Sequence, residues 1–286
     1  MQAAVAKRLA GGTRLHLQHG PIDLIIGVDG DRETAFAAAA RRFHTVLDEL
    51  VTELPLLRCQ KNGKLTGAVA VQMQRAVQPH MQRNFVTPMA AVAGAVADTV
   101  LAAMVVKARM RRAYVNNGGD IALWLTEDER FRTLVAGPDG AELARITLAT
   151  SARARGIATS GRHGRSLSRG IADSVTVLAR TAAEADVAAT LIANAVDLPR
   201  HAAIRRAPAC ALDPDSDLGH RTAVTGVGEL TGDEVNEALA RGGLRAKQMW
   251  SQGLICGAAL FLRGQSYITG SVETQFNQHG KNVEHA

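Results

Sequence analysis

Tyr114-Val115-Asn116-Asn117-Gly118-Gly119-Asp120-Ile121-Ala122-Leu123 reads as strand, glycine turn, strand. Paired glycines let the backbone take positive φ, and Asn-Gly is a strong short-range signal of a β-hairpin. A hairpin joins antiparallel strands, whereas parallel strands need a crossover of a dozen or more residues. Upstream, Leu15 and Leu17 alternate with polar partners, His19-Gly20-Pro21 turns, and 22–28 follows as a second strand of an opening hairpin. Downstream, 131–136 and 145–149 flank a turn at Gly137-Pro138-Asp139-Gly140, and 174–178, 222–228 and 253–262 add further strands.

Helical periodicity appears between these strands. Asp31 caps a stripe of Phe36, Ala39, Ala40, Phe43, Val46, Leu47, Leu50 and Leu54 that Pro55 is expected to stop. A short helix is expected over 68–78. A longer one, rich in small residues, runs from Pro88 to Met110, and two more cover 182–195 and 233–241. The basic residues Lys107, Arg109, Arg111 and Arg112 are expected to close the third helix, where cations complement the dipole. The mixed order predicts an α+β fold, a mainly antiparallel sheet packed with helices, not a βαβ series. No GxGxxG follows a strand and no GxxxxGK[ST] occurs. Residues 1–263 are expected to form a single domain, and 264–286 a polar, flexible tail.

Composition narrows the function. The chain has 286 residues, with 33 Lys+Arg against 27 Asp+Glu, hence a net charge of 33 − 27 = +6. Only six Phe, two Trp and two Tyr are present, which argues against a protein that stacks bases on several rings. Cys59, Cys210 and Cys256 form no CxxC, so they read as reduced thiols. The start has no apolar core of a signal peptide. Uncharged stretches such as 84–97 are shorter than the about 20 apolar residues of a bilayer span. The expectation is a cytoplasmic protein with no membrane and no nucleic-acid partner.

Three segments could carry chemistry. The Asn116-Asn117-Gly118-Gly119-Asp120 turn offers close main-chain approach and N–H groups for an anion, or is simply a hairpin turn. Gly156-Ile157-Ala158-Thr159-Ser160-Gly161, followed by Arg162, His163, Arg165 and Arg169, offers hydroxyls and guanidiniums to a pyrophosphate, or is a solvated basic loop. On the helix over 182–195, Asp186 and Thr190 are i and i+4 and share a face, two hard oxygen donors that suit Mg²⁺. Glu184 reads as a solvated first-turn acid. Asp213-Pro214-Asp215-Ser216-Asp217 opens like an EF-hand loop, but Leu218 and Val224 stand where Gly and Glu are needed, so it reads as an acidic turn.

In this order the segments resemble the ApbE superfamily, whose main members are FAD:protein FMN transferases. Val115-Asn116-Asn117-Gly118-Gly119-Asp120-Ile121 is similar to its Asn-x-Gly-Gly-Asp turn, and Ala158-Thr159-Ser160-Gly161 to its ATSG loop. Ser174-Val175-Thr176-Val177 followed by Ala185-Asp186 and Thr190 is similar to its SVTV strand and AD-x-x-x-T metal helix. Ala93-Gly94 and Asp98 stand where that family has Lys-Gly and an aspartate. The resemblance spans about 88–196. It implies an ApbE-like α+β fold and FAD and Mg²⁺ as cofactors. Asn116, Gly118, Gly119, Asp120, Thr159, Ser160 and Gly161 would lie on the flavin nucleotide. Asp186, Thr190 and the Ala90 carbonyl would hold the metal.

Two departures stand out: the family's lysine is Ala93, and its His-x-x-Asp-Pro segment is absent between Arg165 and Asp173. His163 or Asp173 would then serve as the catalytic acid/base. The reading is an Mg-dependent flavin-nucleotide transferase or related FAD diphosphate-cleaving enzyme. The alternative is a non-catalytic flavin or nucleotide binder. An enzyme of another class, acting on a different anionic small molecule, stays open. An acceptor protein and a homo-oligomer also stay open as partners.

Overall fold

The computed structural model describes residues 3–60, 63–137, 140–270, 274–275 and 283–284. The chain divides into two compact units. Unit 1 comprises Met1–Phe131, Leu148–Ala158 and Ala179–Val187, and unit 2 comprises Arg132–Thr147, Thr159–Leu178 and Ala188–Ala286.

Unit 1 begins with strands β1 (Val5–Arg8), β2 (Arg14–His19) and β3 (Ile22–Gly30), then helices α1 (Arg32–Leu57), α2 (Ala68–Val77) and α3 (Val92–Lys107). Strands β4 (Met110–Asn117) and β5 (Asp120–Leu125) follow, and β6 (Arg130–Ala136) and β7 (Glu142–Ala149) come next in the chain. Strand β8 (Gly156–Ser160) starts in unit 1, and its sheet order there is β1-β2-β3-β4-β5-β8, antiparallel throughout. Helix α3 packs on β4 and β5, and α1 packs on α3. The α1 stripe buries Phe36, Phe43, Val46 and Leu50, each worth roughly 1.5–3 kcal/mol. Asp31 caps α1 as expected, accepting the Thr34 N–H at 3.2 Å.

Two expectations in this unit need correction. Helix α1 runs through Pro55 to Leu57, where the Arg58 N–H donates to Leu54 and Leu56 carbonyls. A proline in the last turn removes one bond without preventing that closure. The basic cluster does not close α3. Only Lys107 lies in its last turn, while Arg111 and Arg112 are on β4, where both pair with Asp29 at 2.8 and 3.6 Å. Cross-strand carboxylates, not a helix dipole, balance those charges. The Arg111 guanidinium holds the Asp29 carboxyl below its ordinary value.

The helical stretch Pro88–Lys107 is long and apolar enough to cross a membrane by length and composition alone. Within unit 1 its Gly94, Ala95, Val96, Ala97, Val100, Leu101 and Met104 are buried. Asp98 in its middle is bonded to backbone of the next helix. The stretch therefore has the contacts of a core helix.

Unit 2 holds β9 (Ser174–Ala179, whose last residue counts with unit 1) and the second half of α4 (Ala182–Ala195). It continues through β10 (Ile204–Pro208), the one-turn helix α5 (Ala209–Leu212), β11 (Thr222–Val227), α6 (Gly232–Ser251), β12 (Gly257–Leu262) and β13 (Gln265–Gly270). Strand β12 lies antiparallel between β9 and β13, and α6 packs on β12 and β13. Gln265–Gly270, expected in the flexible tail, thus pairs in full register with β12. Helix α6 continues past Arg241 to Ser251. Gly242 and Gly243, which look like a stop, are contact points: a Cβ on Gly243 would sit 2.4 Å from the Tyr267 ring. The predicted α+β class with a mainly antiparallel sheet is what the chain adopts.

Candidate functional site

In unit 1 the Asn-Gly-Gly segment is a two-residue hairpin turn. Asn117 pairs with Asp120, and Gly118 and Gly119 take φ of 65° and 115°. Only glycine adopts that second value without strain. Nothing lies within 4 Å of where a Gly119 side chain would be, so the backbone face is open to a ligand. The Gly119 N–H, expected to be available to an anion, is instead accepted by Asn116 Oδ1 at 2.8 Å. Buried Asn117 reaches away from the turn and donates to the Ala93 carbonyl at 3.1 Å. That bond fixes the hairpin to the start of α3.

The start of α3 is also where Asp186 arrives. The Gly94 N–H donates to Asp186 Oδ2 at 3.1 Å, and the Ala93 N–H also bonds this carboxylate. Asp98, one turn along α3, returns the arrangement. It accepts the Ala182 N–H at 3.0 Å and the Ala183 N–H at 2.9 Å, the first amides of α4. Each helix thus caps the other, satisfying N–H groups that have no partner within their own helix. Gly94 makes this approach feasible, since a Cβ there would stand 2.3 Å from the Ala182 carbonyl oxygen. Gln72 on α2 donates to Asp98 Oδ2 at 2.9 Å and accepts from Thr99 at 3.1 Å.

Burial raises both carboxylates. Burial pushes Asp98 up to about 6 against the pull of the Ala183 and Ala182 amides. Burial pushes Asp186 up as well, with the charge of Asp98 adding to it. Among the described residues no Arg, Lys or His pairs with either carboxylate. Both are hard oxygen donors, the class Mg²⁺ takes. No cluster of three His, Cys, Asp or Glu side chains gathers among the described residues. An ion at Asp186 therefore needs hydroxyl, carbonyl, water or phosphate oxygens as well. Thr190 is one turn further along α4 and half-buried. Ala90 lies on the short turn Pro88–Ala91 that leads into α3.

Unit 2 holds the second set. Thr159-Ser160, expected as a loop, ends strand β8, whose Ala158 counts with unit 1. Thr159 and Thr176 share a hydroxyl–hydroxyl hydrogen bond of 2.9 Å. Gly161 follows the strand because the Asp173 carbonyl oxygen would lie 2.5 Å from any Cβ there. His163 Nε2 and Asp173 Oδ1, the two candidate acid/base groups, are 3.3 Å apart. Asp173 is fully engaged: Arg162 donates to Oδ1 at 2.9 and 2.8 Å, and the Arg263 N–H donates to Oδ2 at 2.6 Å. His163, which is exposed, meets the same Oδ1 that Arg162 occupies. Sequence reading missed Gln72, and it placed Asn117 at the turn and Arg162 on a pyrophosphate, whereas they bond the Ala93 carbonyl and Asp173.

Residues 6–268 match the family described as AbpE bacteria. The UPF0280 protein of Methanopyrus kandleri is 35% identical over 214 residues, which is 68% of this chain and 80% of that protein. A UPF0280 protein of Methanothrix thermoacetophila is 39% identical over 112 residues, 39% of this chain and 46% of its own. Flavin Transferase ApbE from Vibrio cholerae, at 12% identity, superposes with a TM-score of 0.50 over 93% of this chain and 98% of its own. At that identity the likeness carries the fold alone. With the hairpin, the paired aspartates and the α+β sheet in place, the chain belongs to the AbpE bacteria family and has an ApbE-like fold.

Proposed function

We propose that the chain is an Mg²⁺-dependent flavin-nucleotide transferase, or a related enzyme that cleaves the FAD diphosphate. The observation that carries this reading is the unit 1 cluster. An open glycine hairpin, the start of α3 and a carboxylate without a paired cation are joined by consecutive hydrogen bonds. Asp186 would hold Mg²⁺ with the Thr190 hydroxyl and the Ala90 carbonyl, water and phosphate oxygens completing the shell. The ion would supply charge neutralisation at the diphosphate as AMP departs.

The protein's own groups have distinct tasks in this reading. The Gly118-Gly119 backbone gives the nucleotide close approach, with Asn116 and Asp120 flanking it. Thr159, Ser160 and Gly161 would offer donors to phosphate oxygens in unit 2. His163 is the acid/base, and Asp173, neutralised by Arg162, orients its ring. Attack by an acceptor hydroxyl on the FMN phosphorus forms the new P–O bond, breaks the diphosphate bond and releases AMP. With water in place of the acceptor the products are FMN and AMP.

Incubation with FAD and Mg²⁺, followed by assay for AMP or FMN, tests this. Turnover should be present in the parent and lost in Asp186→Asn, which keeps one oxygen for the Gly94 amide. No turnover above that variant removes the enzyme reading. The absence of the family lysine at Ala93 favours the second reading, a binder that keeps the pocket without the chemistry. FAD retained on equilibrium dialysis without AMP release would establish it.

A further inference from the structure

Cys210 stands on the one-turn helix α5, and His220 lies just before β11. Their side chains meet in unit 2, with Cys210 Sγ 3.5 Å from His220 Nδ1. The backbone holds the pair from both sides. The Ala209 N–H donates to the Arg221 carbonyl and the Cys210 N–H to the Gly219 carbonyl, each at 2.9 Å. The residue before Cys210 is thus bonded to the residue after His220, and Cys210 itself to the residue before it. Between them the chain closes on itself. The Asp213 N–H donates to the Ala209 carbonyl at 2.8 Å, the Ser216 N–H to Asp213 at 3.0 Å and the Gly219 N–H to Ser216 at 3.2 Å. These bonds close the segment without help from either the thiol or the imidazole.

Neither side chain is core. Cys210 is half-buried and His220 is exposed, whereas a cysteine that serves packing is commonly buried. A thiol is a weak nucleophile until its proton is taken, and an adjacent base within hydrogen-bond reach is the usual activator. An imidazole protonated at Nε2 has an acceptor at Nδ1, the nitrogen that faces the sulfur here. The S–H proton can pass to it and leave a thiolate beside an imidazolium. The loop between the two residues carries Asp213, Asp215 and Asp217, carboxylates that favour an imidazolium near them.

We propose that Cys210, with His220 as its base, is a thiol-exchange site for small disulfides. The Cys210 sulfur attacks one sulfur of the disulfide, a new S–S bond forms, and the old one breaks. The departing half leaves as a thiolate and takes the proton held by His220. Cys210 is oxidised to a mixed disulfide, and half of the incoming disulfide is reduced to a thiol. None of these residues belongs to the motifs assigned to the flavin nucleotide, so this site stands or falls apart from that reading.

Cys59 supplies the internal reference. It is exposed, and among the described residues no base is bonded to its thiol. The reduced full chain is mixed with cystamine near neutral pH and quenched with acid at intervals. The adduct on each cysteine is then read by peptide mass spectrometry. Accessibility alone puts Cys59 first. The base predicts the opposite order, Cys210 at least about fivefold faster, since a thiol without a base is only a few per cent thiolate and the gain is partly offset by lower nucleophilicity. In His220→Gln the Cys210 rate should fall to about that of Cys59, while the Cys59 rate stays as in the parent. Cys59 labelled as fast as Cys210 in the parent, or a Cys210 rate unchanged in His220→Gln, overturns the site. The order of labelling in the parent decides the matter by itself if the variant does not fold.

Discussion

Replacing Gly94 by alanine inside α3 would ordinarily stabilise a helix by about 0.8–1 kcal/mol. Here the added Cβ would stand 2.3 Å from the Ala182 oxygen, 2.4 Å from its carbonyl carbon and 2.6 Å from the Ala183 nitrogen. Carbon contacts rest near about 3.5–4.0 Å, so one helix start must withdraw from the other by more than an ångström. Overpacking of that kind costs about 1–3 kcal/mol. Withdrawal also weakens the Asp186 bond to Gly94 and the Asp98 bonds to Ala182 and Ala183, each cap being worth about 1 kcal/mol. Gly94→Ala should therefore destabilise the chain by about 2–4 kcal/mol, measured by equilibrium urea unfolding followed by circular dichroism. Because the substitution damages the same caps, Asp98→Ala should cost less in the Gly94→Ala background than alone. A Gly94→Ala protein as stable as the parent, with additive effects, would refute the reciprocal cap.

Three further outcomes follow from the same geometry. The folded-state value of Asp98 is raised from 3.8 to about 6. Its contribution is thus fully present below the lower value and fades as pH rises through the upper one, by up to about 3 kcal/mol. The destabilisation caused by Asp98→Asn should accordingly be larger near about pH 4 than near about pH 7, and a pH-independent difference would contradict the burial argument. Asn117→Ala should cost about 1–3 kcal/mol by leaving the buried Ala93 carbonyl without its donor, read by thermal unfolding; a neutral result would remove the tie between hairpin and helix. The Thr231 amide, then His201, hold the Glu234 carboxyl below its ordinary value at the start of α6. The stability it lends is present above its unfolded value and lost as pH falls through the folded one, so Glu234→Gln should flatten acid unfolding below about pH 4.5.

Much of the architecture was legible in the residues. The opening hairpin, the start of α1, the full extent of α4 and the glycine turn of β4 and β5 follow from period, caps and turn chemistry. What failed did so for identifiable reasons. Arg111 and Arg112 look like a helix end because their partner Asp29 is about eighty residues away in sequence. Gly242 and Gly243 look like a stop because the Tyr267 ring that needs the space lies on another strand. Strand β1, fully exposed, has no alternation to read.

The candidate site divides along the same line. Asp186 and the double glycine were visible as residue types at a spacing. Their link through Ala93, Gly94 and Asn117 is made of side-chain-to-backbone bonds between segments up to 92 residues apart. No local pattern encodes those. Equally, nothing near Asp173 in sequence reveals that its second oxygen is occupied, because the donor is a backbone amide at Arg263.

The most direct test of the account is equilibrium dialysis of the full chain against FAD, with and without Mg²⁺, for the parent and for Asp186→Asn. The account predicts FAD retention that requires Mg²⁺ and is lost in the variant. Retention indifferent to both the ion and residue 186, or no retention at all, would contradict it.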